Sequence, residues 1–88
     1  MNYRHGFHAG NHADVLKHVA LMALVNYLQT KDKPLFILDT HAGPGRYDLG
    51  SPEAQRSGEY RHGIARILDA PDTPPAIAPY LAAIRAEN

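Results

Sequence analysis

Residues 35–47 read Leu-Phe-Ile-Leu-Asp-Thr-His-Ala-Gly-Pro-Gly-Arg-Tyr, and this stretch decides the fold expected for the chain. Leu35–Leu38 is a run of bulky apolar residues without alternation, which is typical of a short buried strand. Asp39 would then lie at the carboxyl edge of that strand, where open α/β sheets bind their ligands. Gly43 and Gly45 allow a tight turn and a close approach of the backbone to a ligand. The stretch therefore predicts a cofactor-binding corner.

Two glycines after an acidic residue also occur in strand exits that bind nothing, so a tight turn without a ligand fits this pattern equally well. The full dinucleotide fingerprint is incomplete, because Asp48 stands where a third glycine would be expected. No Gly-Lys-Ser or Gly-Lys-Thr occurs in the sequence. These observations disfavour both a nicotinamide or flavin dinucleotide site and a P-loop.

Size and composition limit the class of protein. The 88 residues carry nine Lys and Arg, nine Asp and Glu, and no Cys. They fit one small domain or part of a larger one, and any nucleic-acid surface must come from local clusters of basic residues. The absence of Cys excludes disulfides and thiolate metal sites. The polar N-terminus is no signal peptide, and the longest apolar run, Val19–Val25, is too short to cross a bilayer. We therefore expect a cytoplasmic protein without a membrane partner.

A single buried strand would leave its backbone groups unpaired. No other segment of the chain has comparable strand character, so the strand would pair either with a second copy or within a longer α/β protein. The second interpretation is preferred here.

A helix is predicted from its N-cap Asn11 to about Gln29. It would pack beside the carboxyl end of the strand, where Lys17 and His18 could donate hydrogen bonds to a carboxylate or hydroxyl of a ligand. Alternatively, the His18 ring is satisfied by the backbone or by Asp14 one turn earlier.

Residues 1–10 predict an irregular arm suited to RNA. Tyr3 and Phe7 could stack on bases while Arg4 reaches a phosphate. Alternatively, the two aromatic rings pack the arm onto the body, which is the preferred interpretation for Phe7. Histidines recur in and after the arm, but no carboxylate stands at the right step for a ligand set, and no metal is expected.

Residues 49–88 read as helical. Ser51-Pro52-Glu53 predicts a helix start, Gly58 to about Leu68 predicts a second helix, and a last helix opens at Thr73 or Pro74 after a proline-rich linker. Basic residues give this region either a solvated face or an RNA-binding face; they are Arg56, Arg61, His62 and Arg66.

Four strings resemble one family, the RlmJ-type adenine-N6 methyltransferases that act on bacterial large-subunit ribosomal RNA. They are residues 3–18 (Tyr-Arg-His-Gly-Phe-His-Ala-Gly-Asn-His-Ala-Asp-Val-Leu-Lys-His), 38–47 (Leu-Asp-Thr-His-Ala-Gly-Pro-Gly-Arg-Tyr), 58–60 (Gly-Glu-Tyr) and 63–67 (Gly-Ile-Ala-Arg-Ile). The resemblance covers nearly the whole chain and is weakest after Asp69.

The resemblance implies a Rossmann-like class I methyltransferase, which transfers a methyl group from S-adenosyl-L-methionine to an adenine N6 of 23S ribosomal RNA. By motif position it implies that His18, His41 and Gly43 contact the cofactor and that Tyr3 contacts the RNA.

Residue chemistry adds three assignments. Lys17 suits the carboxylate of the cofactor, Asp39 would face its ammonium or orient the loop, and Arg4 suits RNA phosphate.

The resemblance also predicts how the chain is divided. Residues 1–48 would be the arm, helix, first strand and cofactor loop of a methyltransferase domain, and residues 49–88 the start of a helical insertion. The Asp-Pro-Pro-Tyr-type motif of such enzymes is missing, since Asp72-Thr-Pro-Pro-Ala lacks the aromatic residue. We therefore expect no catalytic residue within these residues and no methyl transfer by this chain alone.

The partner expected from the resemblance is large-subunit ribosomal RNA before full ribosome assembly, bound by a full-length monomer. The alternative is a small helical RNA-binding module without chemistry.

Overall fold

The computed structural model describes residues 3–87, and its regular structure is helical. Within residues 3–87 there are three short 3-10 turns and four α-helices, and the helices lie at His12–Gln29 (α1), Pro52–Ser57 (α2), Ile64–Asp69 (α3) and Ala78–Ala86 (α4). The 3-10 turns lie at His5–Phe7, Glu59–His62 and Pro75–Ile77. No helix within residues 3–87 has both the length and the hydropathy needed to span a membrane.

Helix α1 begins and ends where local sequence signals place it. The side chain of its N-cap, Asn11, accepts a hydrogen bond from the Asp14 N–H at 2.8 Å. The helix ends at Gln29, and the Thr30 hydroxyl donates to the Tyr27 carbonyl at 2.6 Å. The prediction of a helix from Asn11 to about Gln29 is therefore confirmed.

The predicted buried strand at Leu35–Leu38 is wrong for this structure. No strand is assigned within residues 3–87, and the Phe36 and Leu38 side chains are 85% and 74% exposed. The physical reason is that a strand needs a neighbour to pair its N–H and C=O groups, and the described part of the chain offers none. The first strand of a Rossmann-like sheet is consequently not formed here.

The helix predicted from Gly58 to Leu68 is divided into two elements. Gly58 has a φ of +65° and ends α2, since this left-handed conformation suits glycine. A 3-10 turn follows at Glu59–His62, and α3 begins only after Gly63.

Helix α1 packs on the C-terminal helices through one small core. The buried side chains are Val15 of α1, Ile64 of α3, and Tyr80 and Leu81 of α4. Seven partly buried apolar residues surround them, namely Val19, Met22, Leu49, Tyr60, Ile67, Ile77 and Ile84. Residues before and after position 48 therefore share one core in this structure.

A close backbone contact fixes the start of α3 against the start of α1. The Ile64 N–H donates to the Gly10 carbonyl at 2.8 Å. A Cβ at Gly63 would overlap that carbonyl and the backbone of Asn11, so only glycine fits this position. This contact holds the end of the N-terminal arm against the start of α3.

Candidate functional site

One large cleft of about 1560 Å³ contains the predicted site residues. Its walls come from the N-terminal arm, the first half of α1 and the loop that follows residue 38, with Tyr80 of α4 at the base. The seven residues assigned to the cofactor or the RNA by the family resemblance and by residue chemistry line it: Tyr3, Arg4, Lys17, His18, Asp39, His41 and Gly43. These segments, which are far apart in sequence, are thus brought together.

The arm presents an aromatic and a basic side chain at the cleft. The Tyr3 hydroxyl lies 2.6 Å from His5 Nδ1, and the Tyr3 ring stacks on His8 with centroids 5.5 Å apart. Tyr3 is nevertheless 72% exposed, so much of its ring is open to a ligand. Arg4 pairs with Glu53 at 3.2 Å and lies over the Phe7 ring. Binding of Arg4 to phosphate would compete with this exposed ion pair, which is worth little.

The His18 ring is held from two sides. Its Nδ1 lies 2.7 Å from the Asp14 carbonyl, which can only accept, so Nδ1 carries the proton. The ring stacks on Tyr80 with centroids 6.2 Å apart. The predicted contact with Asp14 therefore exists, and it leaves Nε2 as the nitrogen available to a ligand. Lys17, the neighbouring cation, is exposed.

Tyr80 keeps its hydroxyl protonated beside this ring. Burial raises the pKa of Tyr80, and the negative charge of Asp14 raises it further. The Tyr80 phenol therefore stays neutral, which is the form that a buried side chain lining the cleft favours.

The loop after residue 38 is shaped by its own side chains. Asp39 Oδ1 accepts the His41 backbone N–H at 3.0 Å, and the Thr40 hydroxyl lies 2.7 Å from His41 Nδ1. Asp39 therefore makes a hydrogen bond within the loop, and its predicted role toward the cofactor stays a prediction. Gly45 has a φ of +83°, a conformation that favours glycine.

Gly43 lies under an aromatic side chain of the same loop. A Cβ added there would meet the Tyr47 hydroxyl. The Tyr47 and His5 rings meet edge to face, with centroids 5.0 Å apart, so the loop and the arm are in contact. On the other side of the loop, Arg46 forms an ion pair of 3.1 Å with Glu87, the residue that follows α4.

A carboxylate outside the predicted set anchors the arm. Glu59 accepts from His8 Nδ1 at 3.0 Å and from Asn11 Nδ2 at 3.1 Å. The hydrogen bond from His8, followed by the one from Asn11, holds the pKa of Glu59 below its ordinary value of 4.5. Because 48 or more positions separate the partners, no sequence period could have predicted these contacts.

This anchor predicts an acid-sensitive contribution to stability. A depressed folded-state pKa stabilises the fold fully above the ordinary value of 4.5, and the contribution is lost as pH falls through the folded-state pKa. We expect Glu59→Gln to lower the melting temperature slightly at neutral pH. The difference from wild type should shrink in acid below about pH 4.

Thermal melts at both pH values check this expectation, with His8→Ala and the double variant completing a cycle. In the His8→Ala background, Glu59→Gln should have a smaller effect, since the largest cause of the pKa shift has gone. A difference in melting temperature between wild type and Glu59→Gln that is the same in acid and at neutral pH would contradict the prediction.

The predicted basic face of residues 56–66 is not part of the cleft. His62 and Arg66 line a separate apolar groove of about 350 Å³ between α1 and α3, together with Val15 and Ile67. Arg61 pairs with Gln55 at 3.2 Å. Among residues 3–87, no group of three or more His, Asp or Glu is arranged to hold a metal ion.

Comparison with known proteins gives two kinds of match. Residues 32–88 match the sequence model of the family described as ribosomal RNA large subunit methyltransferase D, RlmJ. Over all 88 residues the chain is 52% identical to ribosomal RNA large subunit methyltransferase J of Escherichia coli K12. It is 51% identical over the same length to the protein of that name from Haemophilus influenzae. The chain spans 31% of the length of each of these relatives.

Proposed function

Because the chain belongs to the RlmJ family of ribosomal RNA large subunit methyltransferases, we propose that it supplies the cofactor and RNA contacts of such an enzyme. The reaction proposed is methylation of an adenine N6 in large-subunit ribosomal RNA. The observation that carries the proposal is the cleft, which joins the arm, α1 and the Gly43 loop on one face. The whole enzyme would be a cytoplasmic monomer that acts on RNA before full ribosome assembly.

The cofactor proposed is S-adenosyl-L-methionine, whose sulfonium supplies an electrophilic methyl group. The residues of the cleft fit it: Lys17 is a donor suited to its carboxylate, and the unprotonated Nε2 of His18 is an acceptor suited to its ammonium group. Gly45 leaves the loop backbone open to a ligand, since nothing lies within 4 Å of a Cβ position there, whereas the Tyr47 hydroxyl covers Gly43. His41 would add a further contact from the same loop, which Asp39 shapes.

The RNA side of the cleft is assigned to the arm. The exposed ring of Tyr3 offers a stacking surface for a base, and Arg4 offers a charge for phosphate. An exocyclic adenine amine is a poor nucleophile, because its lone pair is delocalised into the ring. The acceptor for its protons would come from an Asp-Pro-Pro-Tyr-type motif, which the 88 residues do not contain.

Residues 1–48 are proposed as the start of a Rossmann-like domain, with Leu35–Leu38 as its first strand once neighbouring strands are present. Residues 49–88 are proposed as the start of a helical insertion. The exposed apolar side chains of Leu35–Leu38 support this assignment, since they need a cover that residues 3–87 do not provide.

Titration of S-adenosyl-L-methionine into the purified chain by calorimetry tests the cofactor site. We expect His18→Ala to weaken binding by about tenfold, which is the usual size of one lost hydrogen bond to a charged group. The matched control is His62→Ala, because this histidine lines the separate groove and should bind as wild type.

Thermal melts with and without the cofactor show whether each variant is folded. Equal affinity of His18→Ala and wild type, or no binding by a well-folded wild-type chain, would overturn the assignment of the site.

A second candidate function is RNA binding without chemistry. The exposed Tyr3 beside Arg4 favours it, because this pair can bind single-stranded RNA whether or not the cofactor binds. It would show as RNA binding by the chain that falls steeply with salt while no cofactor binding is measured.

A further inference from the structure

Tyr80 combines a buried ring with a hydroxyl that has no hydrogen-bond partner among residues 3–87. The residue is only 6% exposed and packs in the core with Val15, Ile64 and Leu81. No fully buried side-chain oxygen or nitrogen within the described part of the chain lacks a hydrogen bond. The Tyr80 hydroxyl is therefore not fully buried, and the open space that Tyr80 lines is the cleft.

The surroundings of Tyr80 belong to the cofactor side of the cleft. Its ring stacks on His18, with centroids 6.2 Å apart and ring planes 17° apart. Lys17 precedes His18 on α1 and lines the same cleft. Tyr80 thus lies beside the two residues proposed to bind the amino-acid end of the cofactor.

Tyr80 offers this site a proton that its neighbour cannot supply. Burial raises the pKa of Tyr80, and the charge of Asp14 raises it further, so the phenol stays protonated at neutral pH. A protonated phenol donates one hydrogen bond, and ionised carboxylates are strong acceptors. The single proton of the neutral His18 ring is on Nδ1, where the Asp14 carbonyl accepts it. The Tyr80 hydroxyl is therefore the free donor beside this ring.

We propose that Tyr80 is a further cofactor-binding residue, whose hydroxyl donates a hydrogen bond to the carboxylate of S-adenosyl-L-methionine. It would complement the charge of Lys17 with a directed contact from a second helix. Because Tyr80 lies on α4, the helical residues 49–88 would then contribute to the cofactor site. This inference rests on the proposed function of the cleft.

A purely structural role is the alternative, since the Tyr80 ring is part of the core. The substitution Tyr80→Phe separates the two roles, because it keeps the ring and removes only the hydroxyl. A structural role predicts that the cofactor affinity of Tyr80→Phe equals that of the wild type. A binding role predicts a loss that depends on the carboxylate of the ligand.

The test is calorimetry on the 88-residue chain with two probes, S-adenosyl-L-methionine and its decarboxylated form. The second probe keeps the sulfonium and the adenosine but lacks the carboxylate. We expect Tyr80→Phe to weaken binding of S-adenosyl-L-methionine by about tenfold, the usual effect of one lost hydrogen bond to a charged group. Binding of the decarboxylated probe should change by no more than about twofold.

Tyr27→Phe is the matched control, because it removes the hydroxyl of a tyrosine that is 60% exposed near the far end of α1. It should bind both probes as the wild type does, and thermal melts without ligand show whether each variant is folded.

Two outcomes would overturn the inference while the proposed cofactor site stands. One is a folded Tyr80→Phe that binds S-adenosyl-L-methionine as tightly as the wild type, or loses the same factor for both probes. The other is a wild-type chain that binds the two probes equally, which would show that the carboxylate is not recognised. No binding of either probe by a folded wild-type chain would overturn the proposed function and this inference together.

Discussion

Replacing Gly63 by alanine is expected to lower the free energy of unfolding by about 3 kcal/mol, because the added Cβ has no room. It would overlap the Gly10 carbonyl and lie 2.6 Å and 2.9 Å from the C and Cα atoms of Asn11. These neighbours are backbone atoms, so they cannot rotate away as a flexible side chain can. Relief of this overlap requires the two backbone segments to separate, which would break the hydrogen bond from the Ile64 N–H to the Gly10 carbonyl.

The control for this substitution is Gly50→Ala. A Cβ at Gly50 meets the Asp48 carboxylate oxygen at 3.2 Å, and this exposed side chain can move aside. Its effect should lie within about 0.5 kcal/mol. Urea denaturation of both variants provides the comparison. Equal costs for the two alanines would show that the contact between Gly63 and Gly10 does not hold the arm against α3.

How far the sequence predicted the fold depended on the range of the interactions. Helix α1 could be predicted because its cap, first-turn acid and helical spacing all lie within the segment itself. The strand predicted at Leu35–Leu38 was wrong for this structure, because a strand exists only through its neighbours. No segment among residues 3–87 pairs with this apolar run.

The contacts of the candidate site also divide into those within one segment, which the sequence predicts, and those between distant segments, which it does not. The contact between Asp14 and His18 follows the helical spacing of four residues and was predicted as one alternative. The contact of Asp14 with His5 crosses the turn before the helix, and that of His8 with Glu59 spans 51 positions. Neither contact produces a recognisable pattern in the local sequence. The residue types in the motifs therefore indicated which side chains form the cleft, whereas the carboxylates that position them became visible only in the structure.

The hydrophobic core is small, so truncating one of its side chains should have a large effect on the free energy of unfolding. Leu81 is 4% exposed and packs with Val15, Ile64 and Tyr80, and few other side chains are buried to this degree. Leu81→Ala should lower the free energy of unfolding by about 3 kcal/mol, which combines lost burial with the cavity left behind. Small domains have about 5 kcal/mol or little more to lose, so the variant should retain only about 2 kcal/mol and unfold at a much lower urea concentration than the wild type.

Leu24→Ala makes the same chemical change on α1, where the side chain is 55% exposed. Its cost should stay below about 1 kcal/mol, because alanine is at least as good a helix former and little burial is lost. The two variants can be compared by urea denaturation at several protein concentrations. A large cost for Leu24→Ala that grows with concentration would mean that the exposed face of α1 is covered by a second copy of the chain. A small cost would locate the stabilising core where α1 meets α4, beneath the cleft that holds His18 and Tyr80.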